Sequence, residues 1–139
     1  MNTLTKLALG FIGQLKPERV TGSAERTIEL PSAVTAGGLP LMQALMLRRS
    51  MREFDKSPLP DQTLSDLLWA AAGINRPELN GKTTPSAMNA QEIILYVALS
   101  TGLYRYMPAT QSLYLITASD VRRVSGYQDF VDDAPLDLI

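Results

Sequence analysis

The sequence predicts one domain of mixed secondary structure, with helices in its first half and strands in its second. Two patterns carry this reading. Leu64, Leu67, Leu68 and Ala71 recur at i, i+3, i+4 and i+7 spacing, which draws one apolar stripe along a helix. Residues 93–99, 103–107 and 112–117 are short apolar or alternating runs parted by turn residues, the pattern of strands. At 139 residues the chain is long enough to bury a core of its own.

The elements follow in order. Lys6 precedes an apolar run, Leu7-Ala8-Leu9-Gly10-Phe11-Ile12-Gly13. The run is short for the apolar part of a signal peptide, has no clean small-residue cleavage site close behind it, and is far too short to span a bilayer. An amphipathic helix with Leu4, Leu7, Ala8, Phe11 and Leu15 on one face is the preferred reading, and with it a cytoplasmic rather than secreted or periplasmic protein. Residues 19–40 form a connecting arm rich in Thr, Ser, Gly and Pro. Residues 40–49 form a helix, with Pro40 at its first position and Leu41 and Leu45, with Met46 or Leu47, toward the core. A loop at Ser57-Pro58-Leu59-Pro60 leads to the helix over 61–72, which holds Trp69 in the core and stops at Gly73.

Residues 75–84 contain Pro77, Asn80 and Gly81 and make a loop, at the surface or over a site. Asn75 and Arg76 there read equally as plain loop or as the substrate side of a site. In the strand region, Tyr104 and Tyr106 are cross-strand packing residues. Asp120 caps a short helix running to residue 127. Asp129, Asp132 and Asp133 read as a solvated acidic turn rather than a metal site. Residues 136–139 open a fourth strand, either a short edge that closes a small sheet or one part of a larger fold.

The chain contains no cysteine and no histidine. That excludes disulfides, a thiolate nucleophile, a Ser-His-Asp triad, Cys-based zinc sites and most transition-metal sites. The net charge of −1 gives no general attraction to nucleic acid or to an anionic membrane. A catalyst of this composition draws its chemistry from a cofactor.

Two polar clusters stand out from this background. The first is Arg48-Arg49-Ser50-Met51-Arg52-Glu53-Phe54, a local concentration of positive charge in a chain that is not basic. The second is Pro85-Ser86-Ala87-Met88-Asn89-Ala90-Gln91, which gathers hydroxyl and amide groups at a turn. Taken singly, the first reads as a solvated helix end favoured by the macrodipole, and the second as a turn closed by an Asn side chain. Taken together, they suit a phosphate-bearing, hydrogen-bonding cofactor, because a guanidinium fork matches phosphate oxygens.

The two clusters, with Leu67-Leu68-Trp69-Ala70-Ala71-Ala72-Gly73 between them and Gly126, Gln128, Asp129, Ala134 and Pro135 after them, resemble the flavin-dependent nitroreductase superfamily. The likeness runs from residue 39 onward and is nearest the branch that includes azoline-oxidising dehydrogenases. It implies an α+β fold, an antiparallel sheet flanked by helices, and an intertwined homodimer with FMN at the subunit interface. Arg48 and Ser50 would then face the FMN phosphate and ribityl chain, with Arg49 in support and Arg52 near the electron-poor end of the ring. Pro85, Ser86, Ala87, Asn89 and Gln91 would lie against the isoalloxazine from across the interface.

The implied activity is transfer of hydride from NAD(P)H through the flavin to a nitro, quinone or similar small acceptor, with no catalytic side chain. The alternative is a non-catalytic FMN-binding or dimerising remnant of such an enzyme. A third reading is a small module that binds phosphate or sulfate through its arginines. The resemblance divides the chain into residues 1–38, a helix and arm suited to wrapping a partner, and residues 39–139, an FMN-binding domain. It also implies that the family's usual C-terminal part, with a late basic residue near the phosphate, is missing.

Overall fold

The computed structural model describes residues 27–55 and 57–139. The helix expected near the N-terminus and the first part of the arm lie outside the described residues. In chain order the strands are β1 (Thr27–Glu29), β2 (Ile74–Arg76), β3 (Gly81–Lys82), β4 (Tyr96–Leu99), β5 (Gly102–Met107), β6 (Ser112–Thr117) and β7 (Leu136–Leu138). The α-helices are α1 (Leu41–Leu47), α2 (Asp61–Ala72) and α3 (Arg122–Ser125). Five strands form one antiparallel sheet in the order β1-β6-β5-β4-β7, and β2 and β3 pair as a separate hairpin. This is the α+β class expected, an antiparallel sheet flanked by helices.

Sequence explains the centre of the sheet directly. β4, β5 and β6 are a meander, each paired with the next through a tight connection. Gly102 begins β5 at φ +148°, and a Cβ there would lie 2.4 Å from the Thr117 carbonyl oxygen, so only glycine allows that approach. Alternation then aims Tyr104 and Tyr106 inward, opposite Leu115 and Leu113 of β6. Their cross-strand packing role is as expected.

α2 covers this inner face. Its Leu64 and Leu68 join Leu30, Val97, Tyr104, Tyr106 and Leu113 in one core, with Leu68, Val97 and Leu113 fully buried. A polar clamp fixes the helix to the sheet. Gln111, in the β5–β6 turn, donates from Nε2 to the Ser65 carbonyl (3.1 Å) and Oγ (2.8 Å), and its Oε1 accepts from the Tyr106 hydroxyl (2.7 Å). Ser65 Oγ donates in turn to the Pro31 carbonyl. Burial pushes the Tyr106 phenol up to about 12, against a smaller lowering by the bond to Gln111.

The outer face carries α3 beside β4 and β7. Ser125 Oγ bonds Asp137 of β7, and Arg122 donates to the Ala134 carbonyl at 2.7 Å. Arg122 also grips Asp120 at 2.7 Å. That guanidinium holds the Asp120 carboxyl below the usual carboxylate range.

Several elements differ from expectation. α1 has no buried residue, so Leu41 and Leu45, expected toward the core, are exposed at 72% and 55%. The inner face of the sheet is taken by α2, and every residue of α1 is exposed. The first strand of the meander begins at Tyr96 rather than residue 93, leaving Ile93 and Ile94 exposed. Part of the arm is a strand: β1 pairs with β6 and leads Leu30 into the core.

Residues 75–84, expected as loop, contain the β2–β3 hairpin around a 3-10 turn at Pro77–Leu79. The helix expected over 120–127 shrinks to α3, with Gly126 extended beyond its end and Asp120 Oδ1 accepting from the Arg122 N–H at 3.2 Å just ahead of it. Leu67, on the predicted α2 stripe, is 40% exposed, while Ser65 is buried in the clamp. β7 is an edge strand on β4. No helix among the described residues is long and apolar enough to cross a membrane.

Candidate functional site

The arginine cluster begins where α1 ends. Arg48 leaves the helix in extended conformation (φ −60°, ψ 125°), and residues 48–54 continue without helix or strand, fully on the surface. Among the described residues no ion pair engages Arg48 or Arg49. Arg52 is engaged: its guanidinium carbon sits 5.6 Å from the centroid of the Phe130 ring. Phe130 lies 6.3 Å from the ring of Phe54. A cation–π contact of this exposed kind is worth about 0.5–1 kcal/mol and steadies the segment against the 3-10 turn at Asp129–Asp133. Phe54 and Phe130 also line a hollow of about 350 Å³ against α3 and β7.

The second cluster is a rigid bend. Ser86 is extended, and Ala87–Asn89 forms a 3-10 turn with Met88, Asn89 and Gln91 in the left-handed region, at φ 50°, 55° and 52°. Asn accepts that conformation readily; Met and Gln do so at a cost. Gln91 offsets it. Its backbone N–H donates to Ser86 Oγ (3.0 Å), and its Nε2 donates to the Asn80 carbonyl (2.6 Å) and to Asn89 Oδ1 (3.0 Å). Asn89 Nδ2 donates to the Leu79 carbonyl at 3.2 Å. Gln91 and Asn89 therefore lash the bend to the β2–β3 hairpin, and Met88 is left 99% exposed at its tip.

Beside the bend lies an open cavity of about 540 Å³ lined by Pro85, Ser86, Asn89 and residues of the hairpin. Among the described residues its lining has no carboxylate, and its single charged residue is Arg76. None of the four arginine-cluster positions (Arg48, Arg49, Ser50, Arg52) lines it. Within one chain, then, Pro85, Ser86 and Asn89 share a cavity that the arginines do not line. Ala87 is exposed on the turn between them and Gln91 is its internal brace.

The Arg52–Phe130 contact and the Arg76 cavity were not foreseeable from spacing, since each joins segments that only the tertiary fold brings together. Among the described residues no group of three or more His, Cys, Asp or Glu could hold a metal.

A family model described as "Nitroreductase family" matches residues 45–139, a stretch that includes both clusters. A curated relative from Methanocaldococcus jannaschii, named "Putative nitroreductase MJ1384", is 33% identical over 111 residues, covering 73% of this chain and 56% of the relative. A crystal structure from Ralstonia eutropha JMP134, described as a "putative nitroreductase", matches with a TM-score of 0.76 and 52% identity, covering 89% of this chain and 59% of that one. The chain thus spans a little over half the length of each.

Proposed function

Because the chain belongs to the nitroreductase family, with its fold and its flavin-dependent oxidoreductase character, we propose that it is an FMN-dependent NAD(P)H oxidoreductase acting as a homodimer. The observation that carries this reading is the pair Arg48 and Arg49, exposed and without an ion pair among the described residues, on an extended segment inside the stretch matched to the family. Exposed guanidinium groups suit a phosphate, and a cavity at the bend with no carboxylate among its described lining residues suits a hydrogen-bonding, electron-rich ring edge. The residues present therefore fit the cofactor.

Arg48 and Ser50 would hold the phosphate and ribityl chain, with Arg49 in support. Arg52 would stand near the pyrimidine edge, where a cation favours negative charge on the reduced ring and raises its potential. Pro85, Ser86, Ala87 and Asn89 of the other subunit would flank the ring, with Gln91 bracing them. When bound, FMN supplies a two-electron relay that carries hydride from NAD(P)H to a nitro, quinone or similar small acceptor. The azoline-oxidising branch is the nearest relative proposed.

A second copy is part of this reading for two reasons. Within one chain the arginine cluster does not line the cavity at the bend. One chain also leaves the side of α1 bare, with Leu41, Met42, Leu45, Met46 and Leu47 all more than half exposed, an apolar patch that a monomer rarely shows to water.

The test is the visible spectrum of the purified protein. Flavin bands that bleach with NADH or NADPH under nitrogen are expected. A dimeric sample that is colourless and takes up no added FMN ends the proposal.

A further inference from the structure

Arg76 ends β2, and two features fix its guanidinium in place. Nη2 donates to the Lys82 carbonyl at 2.7 Å. Its chain lies across Gly81, its partner in the hairpin register, so closely that a Cβ on Gly81 would fall 2.8 Å from Nε. Glycine at 81 leaves room for the guanidinium to lie close across the backbone. One of five N–H donors is spent on Lys82, and among the described residues no carboxylate pairs with the rest. Among the described residues this cation is the only charge lining the 540 Å³ cavity beside the bend. The hydroxyls of Thr84 and Ser86 line the same cavity, and Ser86 Oγ, which accepts from Gln91, keeps its own proton to donate.

A preorganised guanidinium with hydroxyl donors around it, and no acidic group against it, is built to receive an oxyanion. We propose that Arg76 is the specificity-determining residue of this cavity, selecting substrates that carry a carboxylate or phosphate. Assigning that anion to a substrate rests on the reading that the bend flanks the flavin. The anion has two sources under that reading, an acidic group on the electron acceptor or the 2′-phosphate of NADPH.

The experiment titrates the full-length, isotope-labelled protein with two pairs of probes, 4-nitrobenzoate against nitrobenzene and NADP⁺ against NAD⁺. The resonances followed are the Arg76 Nε–H and the Gly81 amide. The expected result is that one anionic probe shifts both resonances and binds about tenfold or more tightly than its neutral or unphosphorylated counterpart, as a charge-assisted bond to a fixed cation requires. The pair that discriminates identifies the source. Arg76→Gln removes the discrimination, Arg76→Lys keeps part of it, and both variants retain the wild-type melting temperature within a few degrees. In the flavin-loaded protein, Arg76→Gln lowers kcat/KM for the anionic substrate about tenfold relative to its counterpart and leaves the flavin spectrum unchanged.

Equal binding within both pairs, or discrimination that survives in Arg76→Gln, overturns the proposal. A yellow, reducible protein with that outcome sinks this inference alone. A colourless protein that takes up no FMN sinks the flavin reading instead, and anion binding at Arg76 would then stand as a site without that role.

Discussion

Tyr106→Phe isolates the clamp that seats α2 on the sheet, and its effect on stability changes with pH in a way that packing alone does not produce. The substitution keeps the ring in a site that is 2% exposed and removes only the hydroxyl. Gln111 Oε1 loses a donor at 2.7 Å while its Nε2 still serves Ser65. An unmet buried acceptor costs about 1–2 kcal/mol, which lowers the melting temperature of a chain this size by about 3–7 °C at neutral pH.

Alkaline pH reverses the comparison. The folded phenol titrates near 12 and the unfolded one near 10.0, so above pH 10 the unfolded chain sheds a proton that the folded chain keeps. Wild-type stability is whole below pH 10 and drains away as pH rises toward 12, by up to about 2.7 kcal/mol at ~1.36 kcal/mol per pH unit. The variant has no such proton to lose. Urea unfolding followed by fluorescence of the single tryptophan, Trp69, from pH 8 to 12 reads both proteins. The gap between them should close near pH 11 and vanish or invert by pH 12. Curves that stay parallel across that range would refute the linkage between burial of this phenol and the clamp.

Three further outcomes are expected. Leu68→Ala empties the centre of the core, where the side chain is fully buried, and should cost about 2.7–5 kcal/mol in urea unfolding. Arg48→Ala should weaken FMN binding by about tenfold to a hundredfold, measured by quenching of flavin fluorescence, with no change in the stability of the unliganded protein; unchanged affinity would remove Arg48 from the phosphate site. Leu45→Ser on exposed α1 should shift the protein from dimer to monomer in sedimentation while leaving the melting temperature of the monomer within about 2 °C.

Some elements were legible because a single physical cause dominates them. The α2 stripe of leucines has one solution, and the helix runs over Asp61–Ala72 as read. β6 likewise coincides with its apolar run. Where two causes compete, the sequence pattern misleads. Ile93 and Ile94 have the branched side chains of strand residues, yet they lie just beyond the left-handed backbone at Gln91 and start no ladder. β1 is three residues with no alternation to detect, and it exists because β6 offers an open edge.

Leu41 and Leu45 have the spacing of core residues yet stay exposed, because spacing shows that a stripe is apolar and not which surface it meets. The candidate site divides in the same way. The residue types that suit an anionic, hydrogen-bonding cofactor were visible in the two clusters. That Gln91 braces rather than lines the bend, and that Arg76 rests on Gly81, needed the hairpin to be folded.

α1 has a consequence for how the arginines are held. A helix of seven residues falls well short of the roughly 12–15 that persist alone in water, and this one has no side chain sheltered by its own domain. In the proposed dimer its helical shape would be held by the copy that comes to rest on it. Arg48 and Arg49 follow directly from its last turn, so that same contact would set their reach and direction. Dilution that strips the cover away should unwind the turn and scatter the charges together, making anion grip and association a single event.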